Sequence, residues 1–231
     1  MRLLVHVEGQ TEETFVNEVL KPHLLHSGYV SVAARLLGNA RLKRSRGGIR
    51  SWPIAKNEIV GHLKNDGGCI ATTMVDFYGL PSEGDGAWPG RANTGHLACL
   101  TRVHTLEETL KNDVASEMGP SFNINRFIPF VMMHEFEGLL FSNPTAFARS
   151  VGRPDLEPEF RKIRNEFQTP EEINDSPTTA PSKRVESHMP EYEKPLFGVL
   201  AILEMGIATV RLECPHFGEW LTTLESLGQA K

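Results

Sequence analysis

Four acidic residues of this chain stand where an apolar run ends, the position from which a strand presents a carboxylate at the edge of a sheet. Glu8 follows the first run, Asp76 follows a later one, and Glu135 and Glu137 follow a third. Any one of them is compatible with a solvated strand end, but three such ends together favour a shared site. Converging carboxylates need a cation between them, and ligand sets made only of oxygen suit Mg²⁺ or Mn²⁺. The pattern therefore predicts a divalent-metal site.

The elements that would position these acids follow from the apolar periodicity. Nearly continuous apolar runs predict strands buried on both faces, and apolar residues at helical spacing predict helices between them. The predicted strands cover residues 3–7, 30–37, 69–75 and 127–133. The predicted helices are a first one after the turn at residue 9 and later ones over residues 55–63, 97–110, 196–205 and 220–227. This alternation indicates a parallel α/β sheet with right-handed crossovers, in which ligand sites lie beyond the carboxyl ends of the strands.

Turn chemistry separates these elements. After the first glycine turn, Thr11 is expected to cap the first helix, with Glu12 in the first turn, where the helix dipole favours negative charge. Residues 79–95 are rich in glycine and proline and predict a long loop over the edge of the sheet. Residues 177–184 predict a flexible polar segment.

Composition limits the class of protein. The 231 residues are enough for one domain with a substantial core, and 40% hydrophobic and 23% charged residues are typical of soluble globular proteins. The net charge of −5 gives no global attraction for phosphate, so any nucleic-acid contact must come from a local patch. Three widely spaced cysteines indicate a reducing compartment. Because we find neither a signal sequence nor an apolar run of roughly 18 residues, we expect a cytoplasmic protein without a membrane span.

One local basic patch is present. Five cations surround Gly47 and Gly48 with no acid between them: Arg41, Lys43, Arg44, Arg46 and Arg50. Such a segment suits contacts with a nucleic-acid backbone, although a charge run can also be a solvated loop. Trp52 and Trp88 are candidates for stacking on bases or, alternatively, for the core.

Three motifs carry a resemblance to a known family. VEGQTEETF, VDFYG and HEFEGLLF, in this order on alternating strands, resemble the signature of Toprim-type domains. They resemble in particular the overcoming-lysogenization-defect (OLD) nucleases and a Toprim-like family of unknown function found beside ATPases in bacterial anti-phage loci. PSKR and CPHFGEWL resemble later motifs of that family, so the likeness covers about residues 3–225.

The resemblance implies a fold, an activity and partners. The fold is a Toprim-like (Rossmann-like) four-stranded parallel sheet flanked by helices, with residues 1–145 as the catalytic domain. Residues 146–231 would form a helical C-terminal extension that completes the same domain. The implied activity is magnesium-dependent phosphodiester chemistry on DNA or RNA. The implied partner is a separately encoded AAA- or ABC-type ATPase, and a homo-oligomer is compatible with the sequence.

The motifs also assign roles by resemblance. Glu8 matches the invariant Toprim glutamate, and Glu12 matches the second acid of the EGxxE pattern. Asp76 matches the first aspartate of the usual Asp-x-Asp pair, but Tyr78 occupies the second position. This departure removes one ligand, so a two-metal mechanism requires an oxygen from the HEFEGLLF motif.

Glu135 and Glu137 are the candidates for that oxygen. On an extended segment both would point to one side, whereas on a helix they would diverge by about 200° and only one would face the metal. Glu137 is favoured, because Glu-x-x-Leu opening a helix is the form that the related nucleases show, with Glu135 as a second ligand or a base. Those nucleases also carry a later catalytic lysine, for which Lys183 is the candidate. Arg184 is a substitute for it and a candidate nucleic-acid contact, and a solvated loop is the alternative for both residues.

The leading hypothesis is therefore a metal-dependent nuclease that acts as the effector subunit of an ATPase-coupled bacterial defence module. The alternative is a catalytically degenerate Toprim module that binds an ATPase partner or a nucleic acid, which the loss of the second aspartate would permit. A topoisomerase or primase is disfavoured, because 231 residues hold no companion domain for either activity.

Overall fold

A computed structural model describes residues 1–38, 51–173, 176 and 178–229. The predicted basic patch lies outside the described residues, so its phosphate contacts stay a prediction. That statement applies to Arg41, Lys43, Arg44, Arg46 and Arg50.

The described residues form a mixed α/β fold around one parallel sheet. Five strands occur in this part of the chain: β1 (Arg2–Val7), β2 (Ser31–Leu36), β3 (Cys69–Asp76), β4 (Phe127–Ile128) and β5 (Val131–Met132). Their order is β2-β1-β3-β4, β5 also pairs with β3, and every pairing is parallel. The carboxyl ends of β1, β3 and β5 therefore point to the same edge.

The sheet has five strands where four were predicted, because the last predicted strand is interrupted at Pro129. Proline has no N–H for the ladder, and β4 ends immediately before it. The Thr73 side chain completes the ladder at this point. Its hydroxyl accepts a hydrogen bond from the Phe130 N–H at 2.9 Å and donates one to the Phe130 carbonyl, also at 2.9 Å. β5 then resumes the pairing with β3 in the same register.

Helices cover both faces of the sheet, which explains why β3 is buried at every residue except Asp76. The helices in the described residues are α1 (Gln10–Phe15), α2 (Lys21–Leu25), α3 (Trp52–Asn65), α4 (Cys99–Met118), α5 (Pro144–Ser150), α6 (Glu157–Asn165), α7 (Pro181–His188), α8 (Lys194–Met205), α9 (Ile207–Glu213) and α10 (Pro215–Gln229). A π-helical segment, Val16–Leu20, joins α1 to α2. On one face α3 and α4 pack against Ala71 and Val75, and on the other α1, α8 and α10 pack against Ile70 and Met74.

The start of the first helix differs from the prediction. Gly9, not Thr11, is the N-cap, and Thr11 lies within α1. The Glu12 carboxylate closes this end, because its Oε2 accepts a hydrogen bond from the Gly9 N–H at 3.0 Å. The residue that the sequence marks as a candidate ligand therefore also fixes the turn that follows β1.

The C-terminal helices share a core with the sheet. The Phe15 ring on α1 contacts Phe136 at a centroid distance of 5.6 Å and Phe217 on α10 at 6.2 Å. The predicted flexible segment is partly helical, since α7 begins at Pro181, where proline is well tolerated in a first turn. Among the described residues no single helix is long and apolar enough to cross a membrane. The pair α8 and α9, which meet at 87°, passes that test only when the two are taken together.

The long loop after β3 is present as predicted, with neither helix nor strand over residues 80–98. Its position is fixed by Trp88, which is 1% exposed and packs on Trp52 at a centroid distance of 4.9 Å. Both tryptophans therefore belong to the core, and the prediction that they stack on bases is wrong because neither indole is accessible.

Candidate metal centre

The candidate site lies at the carboxyl edge of the sheet. Five carboxylates meet there, which we call the carboxylate cluster: Glu8, Glu12, Asp76, Glu135 and Glu137. Asp76 is the last residue of β3 and is subject to the negative charge of the other four. Glu8 follows β1 directly, and the last two acids follow β5. The parallel sheet therefore brings together all the acids that the sequence marks at strand ends.

Backbone hydrogen bonds hold the cluster in place. Asp76 Oδ1 accepts a hydrogen bond from the Phe136 N–H at 3.1 Å, which joins the end of β3 to the 3₁₀ helix Phe136–Ser142. Glu135 precedes that helix in an extended conformation, and Glu137 lies in its first turn. Glu135 Oε2 accepts from the Ser182 N–H of α7 at 2.9 Å. The backbone changes from extended to helical between Glu135 and Glu137, and both carboxylates lie near Asp76. Both glutamates are therefore candidate ligands, and it is not necessary to choose one of them.

Two glycines provide room for the carboxylates. A Cβ on Gly79 would lie 3.4 Å from both Glu8 carboxylate oxygens, and one on Gly9 would lie 3.2 Å from Glu12 Oε2. These glycines follow the acid-bearing ends of β1 and β3 in the VEG and FYG motifs. The absence of side chains there lets the two carboxylates lie close against the backbone of these turns.

The raised pKa values of three of these acids show that the cluster carries more negative charge than its surroundings stabilise. Burial, together with the charge of Glu8, raises the pKa of Glu12 to about 7. Burial and then the charges of Glu12 and Glu8 raise the pKa of Asp76 well above its ordinary range. Burial also raises the pKa of Glu137 to about 7 despite a neighbouring ammonium group. Full ionisation of this cluster at neutral pH needs additional positive charge.

Lys194 supplies part of that charge and was missed by the sequence reasoning. Its Nζ lies 3.2 Å from Glu137 Oε2. Burial lowers the pKa of Lys194, but the charges of Glu137, Glu135 and Asp76 outweigh it, so the pKa is raised. Lys194 is the first residue of α8, where the helix dipole disfavours a cation. A lysine at this unfavourable position is the sequence signal that could have revealed it.

The two basic residues predicted for the site have partners of their own. Lys183 is 52% exposed in its side chain and pairs with Glu186 at 2.6 Å, one turn further along α7. Arg184 pairs with Glu166 at 3.0 Å. Tyr78 is 41% exposed, and its backbone N–H donates to the His134 carbonyl at 3.3 Å. Among the residues that the structure describes, Lys194 is a cation that contacts the carboxylate cluster, through Glu137.

The donor set fits a hard divalent cation. All five ligand candidates are carboxylates, and Glu137 Oε1 is buried without a hydrogen-bond partner among the residues that the structure describes. A buried acceptor without a partner is costly, and a bound ion would satisfy it. Carboxylate oxygens without nitrogen or sulfur favour Mg²⁺ or Mn²⁺ over zinc.

Fold and site together define an α/β protein with a carboxylate centre at the carboxyl edge of a parallel sheet. Over residues 7–225 the chain matches a domain of unknown function (DUF4276), and it belongs to this family. Comparison with curated proteins and with solved structures finds no match. The likeness to Toprim domains and OLD nucleases therefore stays an expectation from the motifs.

Proposed function

We propose that the protein is a nuclease dependent on Mg²⁺ or Mn²⁺. The observation that carries this proposal is the convergence of Glu8, Glu12, Asp76, Glu135 and Glu137 at one edge of the sheet, with the pKa of Glu12, Asp76 and Glu137 all raised. Several buried carboxylates so close together destabilise the fold unless they bind a ligand of positive charge. Residues with strongly perturbed pKa values are concentrated at functional sites.

The residues divide into ligands and charge-balancing groups. Glu8, Asp76 and Glu137 would hold one ion, and Glu12 with Glu135 would help to hold a second. A bound Mg²⁺ lowers the pKa of water and neutralises charge that develops on a phosphodiester.

Positive charge for the phosphate would come from Lys194. Its ammonium group lies 3.2 Å from Glu137 Oε2, and with an ion held by the cluster Lys194 would be available to pair with a phosphate of the substrate. Lys183 follows Ser182, whose N–H holds Glu135, and it remains a second candidate for this role. Arg184 and the basic patch at residues 41–50 would contact the nucleic-acid backbone.

The proposed setting follows from the motif resemblance. The Toprim-like family that these motifs resemble is found beside ATPases, so we propose a cytoplasmic effector subunit whose cutting of DNA or RNA is coupled to a separately encoded ATPase. Such coupling would keep an isolated effector at low activity.

The test is cleavage of supercoiled plasmid and of single-stranded RNA by the purified protein, with Mg²⁺ or Mn²⁺ and with EDTA as the negative control. We expect metal-dependent nicking or degradation that is lost in Glu8→Gln and in Asp76→Asn. Glu159→Gln, at an exposed residue of α6, is the matched control and should retain activity. Measurable activity that is equal in the wild type and in both site variants would refute the proposal.

Tyr78 favours a second candidate function. It replaces the second acid of the Asp-x-Asp pair and is 41% exposed beside the cluster. A module that has lost catalysis but still binds an ATPase or a nucleic acid would tolerate this change. Calorimetry separates the two functions: Mg²⁺ binding that Asp76→Ala abolishes supports the enzyme, whereas no binding at millimolar Mg²⁺ favours the non-catalytic module.

A further inference from the structure

A second group of metal-ligating side chains lies where α4 meets α10, outside the carboxylate cluster. Each helix carries a His-x-x-Glu pair, and residues three apart on a helix share one face. The pairs are His104 with Glu107 on α4 and His216 with Glu219 on α10. We call these four residues the histidine–glutamate cluster.

Side chains of the two pairs contact each other reciprocally between α4 and α10. His216 Nε2 lies 3.0 Å from Glu107 Oε1, and His104 Nε2 lies 3.2 Å from Glu219 Oε2. The two imidazole centroids are 5.3 Å apart. The His216 side chain is 3% exposed and that of His104 is 44% exposed, so the cluster runs from the interior to solvent. Its His104 and Glu219 side chains are open to solvent.

The spacing of the donor atoms suits a transition metal. One ligand atom from each of His104, Glu107 and His216 lies within 4.8 Å of the others. Zinc bonds to nitrogen and oxygen are about 2.0 to 2.2 Å, so tetrahedral ligand atoms are about 3.4 Å apart. Closing that difference requires a movement of at most about 1.4 Å, which the exposed His104 side chain can make. Two imidazoles with a carboxylate favour zinc and its first-row neighbours over Mg²⁺.

A further carboxylate lies beside the buried histidine. Glu171 accepts hydrogen bonds from the backbone N–H groups of His216 and Phe217, each at 3.0 Å. Its Oε1 lies 4.0 Å from His216 Nδ1, which is buried with no hydrogen-bond partner in the described part of the chain. Histidine that ligates through Nε2 carries its proton on Nδ1, and metal-bound histidines commonly direct that N–H at a carboxylate. At 4.0 Å the Glu171 carboxylate is too far from Nδ1 for a hydrogen bond, and an approach of about 1 Å would complete this arrangement.

We propose that the histidine–glutamate cluster binds a transition-metal ion such as Zn²⁺, with His104, Glu107 and His216 as ligands and Glu219 as the fourth donor. The ion would join α10 to α4 beside β5, where Glu107 Oε1 also accepts a hydrogen bond from the Val131 N–H at 2.8 Å. The proposal depends on residues that the proposed nuclease site does not use, so each can fail without the other.

The test is titration of the full-length, tag-free protein with Co²⁺, which reports tetrahedral coordination through its visible absorption. Millimolar Mg²⁺ is kept in the buffer to occupy the carboxylate cluster. We expect one equivalent of Co²⁺ to bind, Zn²⁺ to displace it, and His104→Ala to weaken binding at least tenfold. Because His104 is exposed, this substitution should leave the fold intact, which circular dichroism checks.

Matched controls locate the ion. His62→Ala alters the other close histidine pair, in which His62 Nδ1 lies 2.9 Å from His6 Nε2, and it should leave the Co²⁺ spectrum unchanged. Asp76→Asn should also leave it unchanged, whereas Glu171→Gln should weaken binding about tenfold to a hundredfold. No absorption at submillimolar Co²⁺, an unchanged spectrum in His104→Ala, or loss of the spectrum in His62→Ala or Asp76→Asn would overturn the proposal.

Discussion

Glu137 should make the metal-free protein less stable as the pH rises. Burial raises its pKa from an ordinary value of 4.5 to about 7, so the folded state keeps its proton at a pH where the unfolded chain has lost it. Below a pH of about 4.5 both states are protonated and the stability is fully present. As the pH rises toward and through about 7, the folded state must ionise a buried carboxylate, and that stability is lost.

The size of this effect follows from the two pKa values. At about 1.4 kcal/mol for each pKa unit, the full loss is about 3 kcal/mol. Between pH 5 and pH 8, Glu137 alone should lower the free energy of unfolding by about 2 kcal/mol or slightly more. Removing its charge also relieves Asp76, whose pKa is raised partly by Glu137.

The assay is urea denaturation in EDTA at pH 5 and pH 8. We expect the difference in free energy of unfolding between the two pH values to be about 2 kcal/mol smaller in Glu137→Gln than in the wild type. Glu159→Gln removes an exposed glutamate and should keep the wild-type pH dependence. If Glu137→Gln also keeps it, Glu137 is not held in a dry acidic cluster and the reasoning is refuted.

Three further predictions concern the groups around the cluster. Gly79→Ala would place a methyl group against the Glu8 carboxylate, so Mn²⁺ affinity measured by calorimetry should fall roughly tenfold (about 1.4 kcal/mol), and unchanged affinity would contradict this. Lys194→Gln leaves Glu137 buried without its cation and should lower the free energy of unfolding at pH 8, measured by urea denaturation, by roughly 2 kcal/mol. This loss is smaller than for a fully buried ion pair, because Lys194 is partly exposed. That cost should shrink at pH 5, where Glu137 is protonated, and an equal cost at both pH values would argue against the pairing. Thr73→Val removes both side-chain hydrogen bonds that bridge Pro129, so we expect a loss of about 1 to 3 kcal/mol in thermal or urea unfolding, and a loss below about 0.5 kcal/mol would show that the ladder does not need them.

The positions of the acids could be predicted because they depend on short-range patterns. An apolar run followed by an acid marks a strand end, and a parallel sheet necessarily brings such ends to one edge. Glu8 and Asp76 were therefore predictable from their own strands. The interruption at Pro129 was visible in the sequence too, but the bridging role of Thr73 was not, since it lies on a strand far away in sequence.

Lys194 and the histidine–glutamate cluster could not be located in the same way. Lys194 reaches Glu137 only because α8 packs against the 3₁₀ helix after β5, which depends on side-chain packing over long sequence separations. His104 and His216 lie on separate helices, and no local sequence pattern predicts that side chains of α4 and α10 come together. Lys183 was proposed from the PSKR motif, but in α7 it pairs with Glu186, three residues further along the same helix.

The most direct test of the central idea, that the carboxylates gather to bind a divalent ion, is anomalous diffraction from a crystal soaked in millimolar Mn²⁺. We expect an anomalous peak in contact with the carboxylates of Glu8, Asp76 and Glu137, with the Lys194 ammonium displaced from Glu137. A soaked crystal that shows no peak there, with Lys194 still bound to Glu137, would contradict it.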